Sequence, residues 1–98
     1  MKNLFDADQR LVILRTLTEA AGYSANCSML NCVLTNYGHN LSRAAVRAHI
    51  RWLEDVGLLK VEVVGEKTLV ATITEEGAEV ARGVKTVDGV KRPAPGGN

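Results

Sequence analysis

Three arginines spaced four residues apart, Arg43, Arg47 and Arg51, stand in the stretch L-S-R-A-A-V-R-A-H-I-R-W-L-E-D-V-G-L-L, where residue type and spacing could do chemistry. A guanidinium keeps its charge at neutral pH and forks onto phosphate or onto the N7 and O6 of guanine. At about 100° per residue, a helix here sets Ala44, Arg47, Ala48 and Arg51 on one side, Arg43 at its edge, and Val46, Ile50 and Leu53 on the opposite stripe. Alanine lets such a helix approach a groove closely and can touch thymine methyls. No Asp or Glu occurs between residues 20 and 53, so nothing in that stretch neutralises the three cations. Glu54 and Asp55 lie one turn further on and would repel phosphate, which restricts docking to the N-terminal half of the helix. Asn40, Ser42 and the free amides of the helix start add phosphate contacts, and His39 is placed to join them. The chemistry expected is binding of a polyanion, double-stranded DNA. The plainer alternative is a solvated face, with Arg51 paired to Glu54 or Asp55 at a gain of only tenths of a kcal/mol.

Other chemistry finds less support. Cys27, Cys32, His39 and His49 do not match the paired spacing of a zinc site, and a helix puts the two cysteines about 140° apart. Cys27 shares a face with Leu30 and Leu34 and reads as a buried structural cysteine; His49 reads as a histidine at the core edge. There is no nucleophile elbow, phosphate-binding glycine loop or carboxylate pair flanking a cleft. The expectation is a non-enzymatic protein without metal or cofactor.

The elements that must position these residues follow from period and punctuation. Ser42 caps the arginine helix and Gly57 ends it, with Leu41 and Val46 forming a hydrophobic staple. The period then switches to two: Leu59, Val61 and Val63 share one strand face, with Lys60 and Glu62 on the other. After Gly65-Glu66-Lys67, Leu69, Ala71 and Ile73 alternate with Thr68, Val70 and Thr72. Lys67 at this hairpin tip is a further DNA contact, although Glu62 and Glu66 leave the hairpin nearly neutral. A first helix is expected over residues 6 or 8 to 21. Its consecutive Leu11, Val12, Ile13 and Leu14 point almost all the way round, so Leu11 and Val12 need a cover beyond the core. That cover is the C-terminal segment or a second copy, and Leu4, Leu11 and Val12 are the expected homodimer interface. Paired half-sites favour two copies, since one module buries only about 600–1,000 Å² on DNA. A second helix is expected over residues 25 or 26 to 37, with Leu30, Val33, Leu34 and Tyr37 as its core stripe. Thr74 caps a short fourth helix over residues 75–82, closed by Gly83. Trp52 lies off the core stripe and covers either the chain's own edge or a partner.

Ninety-eight residues make one domain, expected over 1–83, with a Gly- and Pro-rich basic tail over 84–98 in which Val84, Val87 and Val90 pack on the domain. A composition 46% hydrophobic and 23% charged is that of a soluble globular protein. No apolar run is long enough to span a bilayer, and the first residues lack a secretory signal, so a cytoplasmic protein with no membrane association is expected. The net charge of +1 matters less than its distribution: a duplex-binding face needs to be basic only where it docks.

The order of these elements, α-α-α-β-β-α, gives an α+β, mainly α fold: a winged helix-turn-helix of three helices, a two-stranded hairpin wing and a short C-terminal helix. The run from Ser42 to Gly77, with V-R-A-H-I-R-W-L-E-D-V-G-L-L and I-T-E-E-G, resembles the winged helix-turn-helix of MarR- and ArsR-type bacterial regulators. The C-V-C motif of the ArsR-type metal site is missing, so metal sensing is not implied. Over nearly the whole chain, L-V-I-L, A-G-Y, I-R-W-L-E-D-V-G-L-L, A-T-I-T-E-E-G-A-E-V-A-R-G and V-D-G-V-K-R-P-A-P-G-G resemble a family of small Mu-like prophage proteins. That resemblance implies the winged-helix fold and a phage setting without an established activity; the expectation of a DNA-binding protein or transcriptional regulator comes from the arginine helix. The rival expectation is a protein–protein interaction module with a phage or host partner, in assembly or host takeover, without DNA binding.

Overall fold

The computed structural model describes residues 4–94, with side chains from residue 5 onward. The order is α1 (Leu4–Glu19), a 3-10 turn (Ala21–Tyr23), β1 (Ser24–Asn26), α2 (Cys27–Asn36), α3 (Arg43–Asp55), β2 (Leu59–Val64), β3 (Thr68–Ile73) and α4 (Glu75–Arg82). The fold is α+β and mainly helical, with one antiparallel sheet in the order β1-β3-β2.

The strand β1 was not expected. Three residues are too few to show a period of two, and the neighbouring A-G-Y resembles a plain helix stop. The turn bends the chain onto β3, where Ser24 pairs with Thr72 and its Oγ lies 2.9 Å from the Thr72 hydroxyl. Ala25 points into the core. Asn26 then ends the strand and begins the next helix, its side chain accepting from the Met29 amide at 2.8 Å. The hairpin is therefore two strands of a three-stranded sheet.

The first helix begins at residue 4, ahead of the expected start, and stops at Glu19 because the chain turns through the 3-10 segment. The arginine helix is capped by Ser42, whose hydroxyl accepts from the Ala45 amide at 3.1 Å. Thr74 caps α4 in the same way, accepting from the Gly77 amide at 3.0 Å, and Gly83 follows α4 in the left-handed region. β2 and β3 pair Leu59 with Ile73, Val61 with Ala71 and Val63 with Leu69, so the predicted inward residues meet across the ladder. Burial fades along β2, from Leu59 at 2% exposed to Val63 at 52%, because the hairpin tip projects past the helices.

Ile13, Leu14 and Leu17 of α1, Leu30 and Leu34 of α2, and Val46, Ile50 and Leu53 of α3 are fully buried together. Tyr37 is not part of this stripe: it follows the last turn of α2 and is 67% exposed. Leu11 and Val12 are buried within the chain, at 4% and 8% exposed. Lys91 and Arg92 come back beside them; the Lys91 amide donates to the Ala7 carbonyl at 3.0 Å, and Lys91 Nζ lies 3.6 Å from Asp8. Of the two covers expected for Leu11 and Val12, the chain's own C-terminal segment is the one present in the fold. Leu4 opens α1, and its side chain lies outside the described residues. Val87 and Val90 pack against the core while Val84 is exposed, so packing continues past residue 83. Residues 95–98 of the tail lie outside the described residues.

Candidate nucleic-acid interface

The N-terminal half of α3 emerges from the fold beside the β2–β3 turn. Arg43, Ala44, Ala48 and Arg51 are exposed, and so are Asn40 and Ser42 in the approach to the helix and Lys67 at the hairpin turn. Val46, Ile50 and Leu53 hold the opposite face in the core. An open groove of about 380 Å³ runs between helix and hairpin, lined by Ala44, Ala48, Val63 and Leu69, by the cations Arg47, Arg51 and Lys67, and by the carboxylate of Glu66.

Arg47 departs from the expectation of a solvated side chain. It is half-buried, and its Nη2 donates to the Lys67 carbonyl at 2.8 Å, tying the middle of α3 to the hairpin turn. Its Nε is buried and has no hydrogen-bond partner. The hairpin lies close enough to α3 to capture a long side chain, a proximity that a helical wheel does not contain. Arg51 remains exposed but pairs with Glu54 at 2.9 Å, so the plainer alternative holds at that position. Arg43 and the Lys67 ammonium have no carboxylate partner among the described residues.

Beneath Arg43 lies a cavity of about 90 Å³, lined by Cys27 and Ser28 at the start of α2, Arg43, Val46 and Arg47 of α3, and the hairpin's Lys67 and Thr68. Cys27, Ser28 and Thr68 were missing from the sequence-derived site because β1 and the hairpin bring them to α3 only in three dimensions. Burial works to raise the Cys27 thiol, but the Leu69 backbone, the Arg47 guanidinium and the residue's own amide outweigh it, leaving the thiol below its ordinary value. Cys27 and Cys32 are both free thiols, Cys32 exposed.

On the other side of α3, polar groups are joined end to end. Arg10 Nε donates to His49 Nδ1 at 3.2 Å, and His49 Nε2 lies 2.8 Å from Gln9 Oε1. Gln9 Nε2 lies 3.2 Å from His39 Nδ1, and His39 Nε2 lies 2.8 Å from Asp8 Oδ2. Arginine only donates and an ionised carboxylate only accepts, so the direction of every link is fixed. His49 thereby carries its proton on Nε2, and His39 donates from Nε2 to Asp8 while its Nδ1 accepts from Gln9. Burial, reinforced by the charge of Arg10 and opposed by Asp6, pushes His49 below the ordinary imidazole value. His39 faces α1 and is engaged there, away from the exposed cations. Arg10 also donates to the Gly89 carbonyl at 3.1 Å and stacks 4.0 Å above Trp52, so Trp52 covers the chain's own edge.

Among the described residues, no three His, Cys, Asp or Glu side chains converge on a metal-sized site, and no helix is long and apolar enough to cross a membrane. No protein-family model matches the chain. A Haemophilus influenzae protein is 51% identical over 74 residues, covering 76% of this chain and 72% of that protein. Protein gp26 of Escherichia phage Mu is 43% identical over 95 residues, 97% of each chain. Both carry the name uncharacterized protein.

Proposed function

The chain belongs to the family of protein gp26 of Escherichia phage Mu, and from that premise we propose that it is a phage or prophage DNA-binding protein, a winged helix-turn-helix that docks α3 on duplex DNA. One observation carries the proposal: the exposed half of a capped helix presents Arg43 among alanines beside Lys67, and neither cation is neutralised. The succession of α2, a six-residue turn, α3 and a β-hairpin matches the motif in which the second helix enters the major groove. In this arrangement Ala44 and Ala48 face the bases. Arg43, Ser42, Asn40 and Lys67 contact phosphate. Arg47 fixes the hairpin against the helix, and Arg51 reaches DNA only by releasing Glu54.

Selection from random duplex DNA, with the triple Arg43, Arg47 and Arg51 to Ala variant as control, is the direct test. The expected result is salt-dependent binding with a slope of log K against log salt of about −2 to −3, for two or three phosphate contacts. Absence of affinity for mixed duplex at low salt ends the proposal. An enriched palindrome would require two copies joined through a surface other than Leu11 and Val12.

A protein-interaction role has one observation in its favour. Val63, half exposed, lines the groove with Ala44 and Ala48, an apolar strip suited to a peptide segment. Under that role, Val63→Asp abolishes partner capture while Arg43→Ala leaves it intact.

A further inference from the structure

Three of the cations among the described residues have carboxylate partners. Arg51 meets Glu54, Lys85 meets Glu76, and Lys91 meets Asp8. Every charged residue lining the small cavity between α2, α3 and the hairpin is a cation. Arg43, Arg47 and Lys67 line it and no carboxylate does; Arg47 Nε is buried without an oxygen or nitrogen acceptor, and the Arg47 guanidinium meets the Cys27 thiol. Concentrated positive charge with an orphaned donor is stabilised by an anion. About 90 Å³ holds a few waters or one tetrahedral oxyanion. The first turn of α2 adds the positive end of its dipole, and Ser28 and Thr68 bring hydroxyls.

We propose that this cavity seats one phosphoryl oxyanion over Arg43, Arg47 and Lys67, with Cys27 lining the same space. The assignment of a DNA-backbone phosphate as its occupant rests on the DNA-binding proposal above; the seat itself does not. Arg47 now serves two anions. With the cavity empty, its charge favours the thiolate of Cys27. With phosphate bound, that charge is shared, a second negative charge beside the sulfur is disfavoured, and the thiol stays protonated. The state of Cys27 therefore reports occupancy, since the thiolate is the nucleophilic form. Covalent modification of Cys27 should in turn fill the cavity and exclude phosphate.

The test follows alkylation of Cys27 by iodoacetamide in the full chain carrying Cys32→Ser, read by mass spectrometry. Inorganic phosphate, compared with chloride at equal ionic strength, is the deciding probe, because it is too small to shade the thiol from outside. It is expected to slow alkylation about threefold or more, and the exposed-site variant Arg43→Ala/Lys67→Ala is expected to remove that protection. A mixed-sequence duplex at low salt identifies the source. Protection by phosphate and by duplex supports both the seat and its backbone occupant. Protection by phosphate, with a duplex that neither binds nor protects, keeps the seat, assigns it to a free phosphorylated compound and ends the DNA-binding proposal. An alkylation rate indifferent to phosphate overturns the seat, whether or not the duplex binds.

Discussion

The two sides of α3 treat charge in opposite ways. On the side facing α1, Arg10, His49, Gln9, His39 and Asp8 form a continuous chain in which every link joins a donor to an acceptor, and Arg10 also meets Trp52 and the Gly89 carbonyl. On the side facing the hairpin, Arg43 and the Lys67 ammonium have no carboxylate partner among the described residues, and Arg47 keeps a buried Nε unsatisfied. Satisfied polar chains in low dielectric rigidify and specify a packing; a buried donor without an acceptor, such as Arg47 Nε, raises the free energy of the protein. The closed side is thus read as architecture and the open side as a site. Polarity does not separate them, since both are rich in it. The presence of a partner for each charge does.

Substitutions can break that contrast. The largest effect is expected from Leu11→Glu on the closed side. The site is 4% exposed under the chain's own C-terminal segment, so burying a carboxylate in place of the leucine should cost about 3 kcal/mol, measured by urea unfolding. A variant that folds normally but loses a dimer would restore the interface expected from the sequence.

On the open side, Arg43→Ala/Lys67→Ala should weaken duplex binding on the order of 100-fold at low salt, reduce the salt slope by about 2 and shift stability by no more than about 0.5 kcal/mol. Fluorescence anisotropy and thermal melts check the two halves of that expectation. A large loss of stability would mean that these cations are structural after all.

Gly89→Ala sharpens the contrast from the closed side. Gly89 has φ +98, and an added Cβ would lie 2.7 Å from the Trp52 ring. The strain and the displaced Trp52–Arg10 stack should cost about 2 kcal/mol, with DNA affinity unchanged for the folded fraction. Circular dichroism melts and binding under native conditions separate the two.

The smallest effect concerns pH. The folded state holds His49 below its ordinary value of 6.5, so below that value the unfolded chain takes up a proton that the native chain resists. The contribution of this group to stability is fully present above about 6.5 and is lost as pH falls toward the folded value. Melting temperature should decline between pH 7.5 and 5.5, and His49→Gln should flatten that decline. An unchanged slope in the variant would remove His49 from the polar chain's titration.

Much of the scaffold was legible because it is encoded locally. Ser42 and Thr74 cap the helices they were expected to cap, and α4 spans Glu75–Arg82 as its punctuation indicates. The alternation in β2 and β3 predicts which residues face each other across the ladder. β1 escaped because three residues carry no periodicity and its pairing with β3 spans more than forty positions. Tyr37 was misplaced because the last turn of a helix often outruns the surface it packs on.

The candidate site was legible only in part. Arg43, Ala44 and Lys67 are exposed where the pattern puts them, while Arg47 and Arg51 are each held by a neighbour. The amino-acid sequence by itself determined the helices, the hairpin and the apolar faces, since caps and periods act over a few residues. Only the tertiary structure decided which charges are neutralised, what covers Leu11 and Val12, and that Cys27 and Ser28 share a cavity with Arg43, Arg47 and Lys67. Pairing of charges and closure of cavities depend on distances between segments far apart in the chain, and those distances exist only once the core has packed.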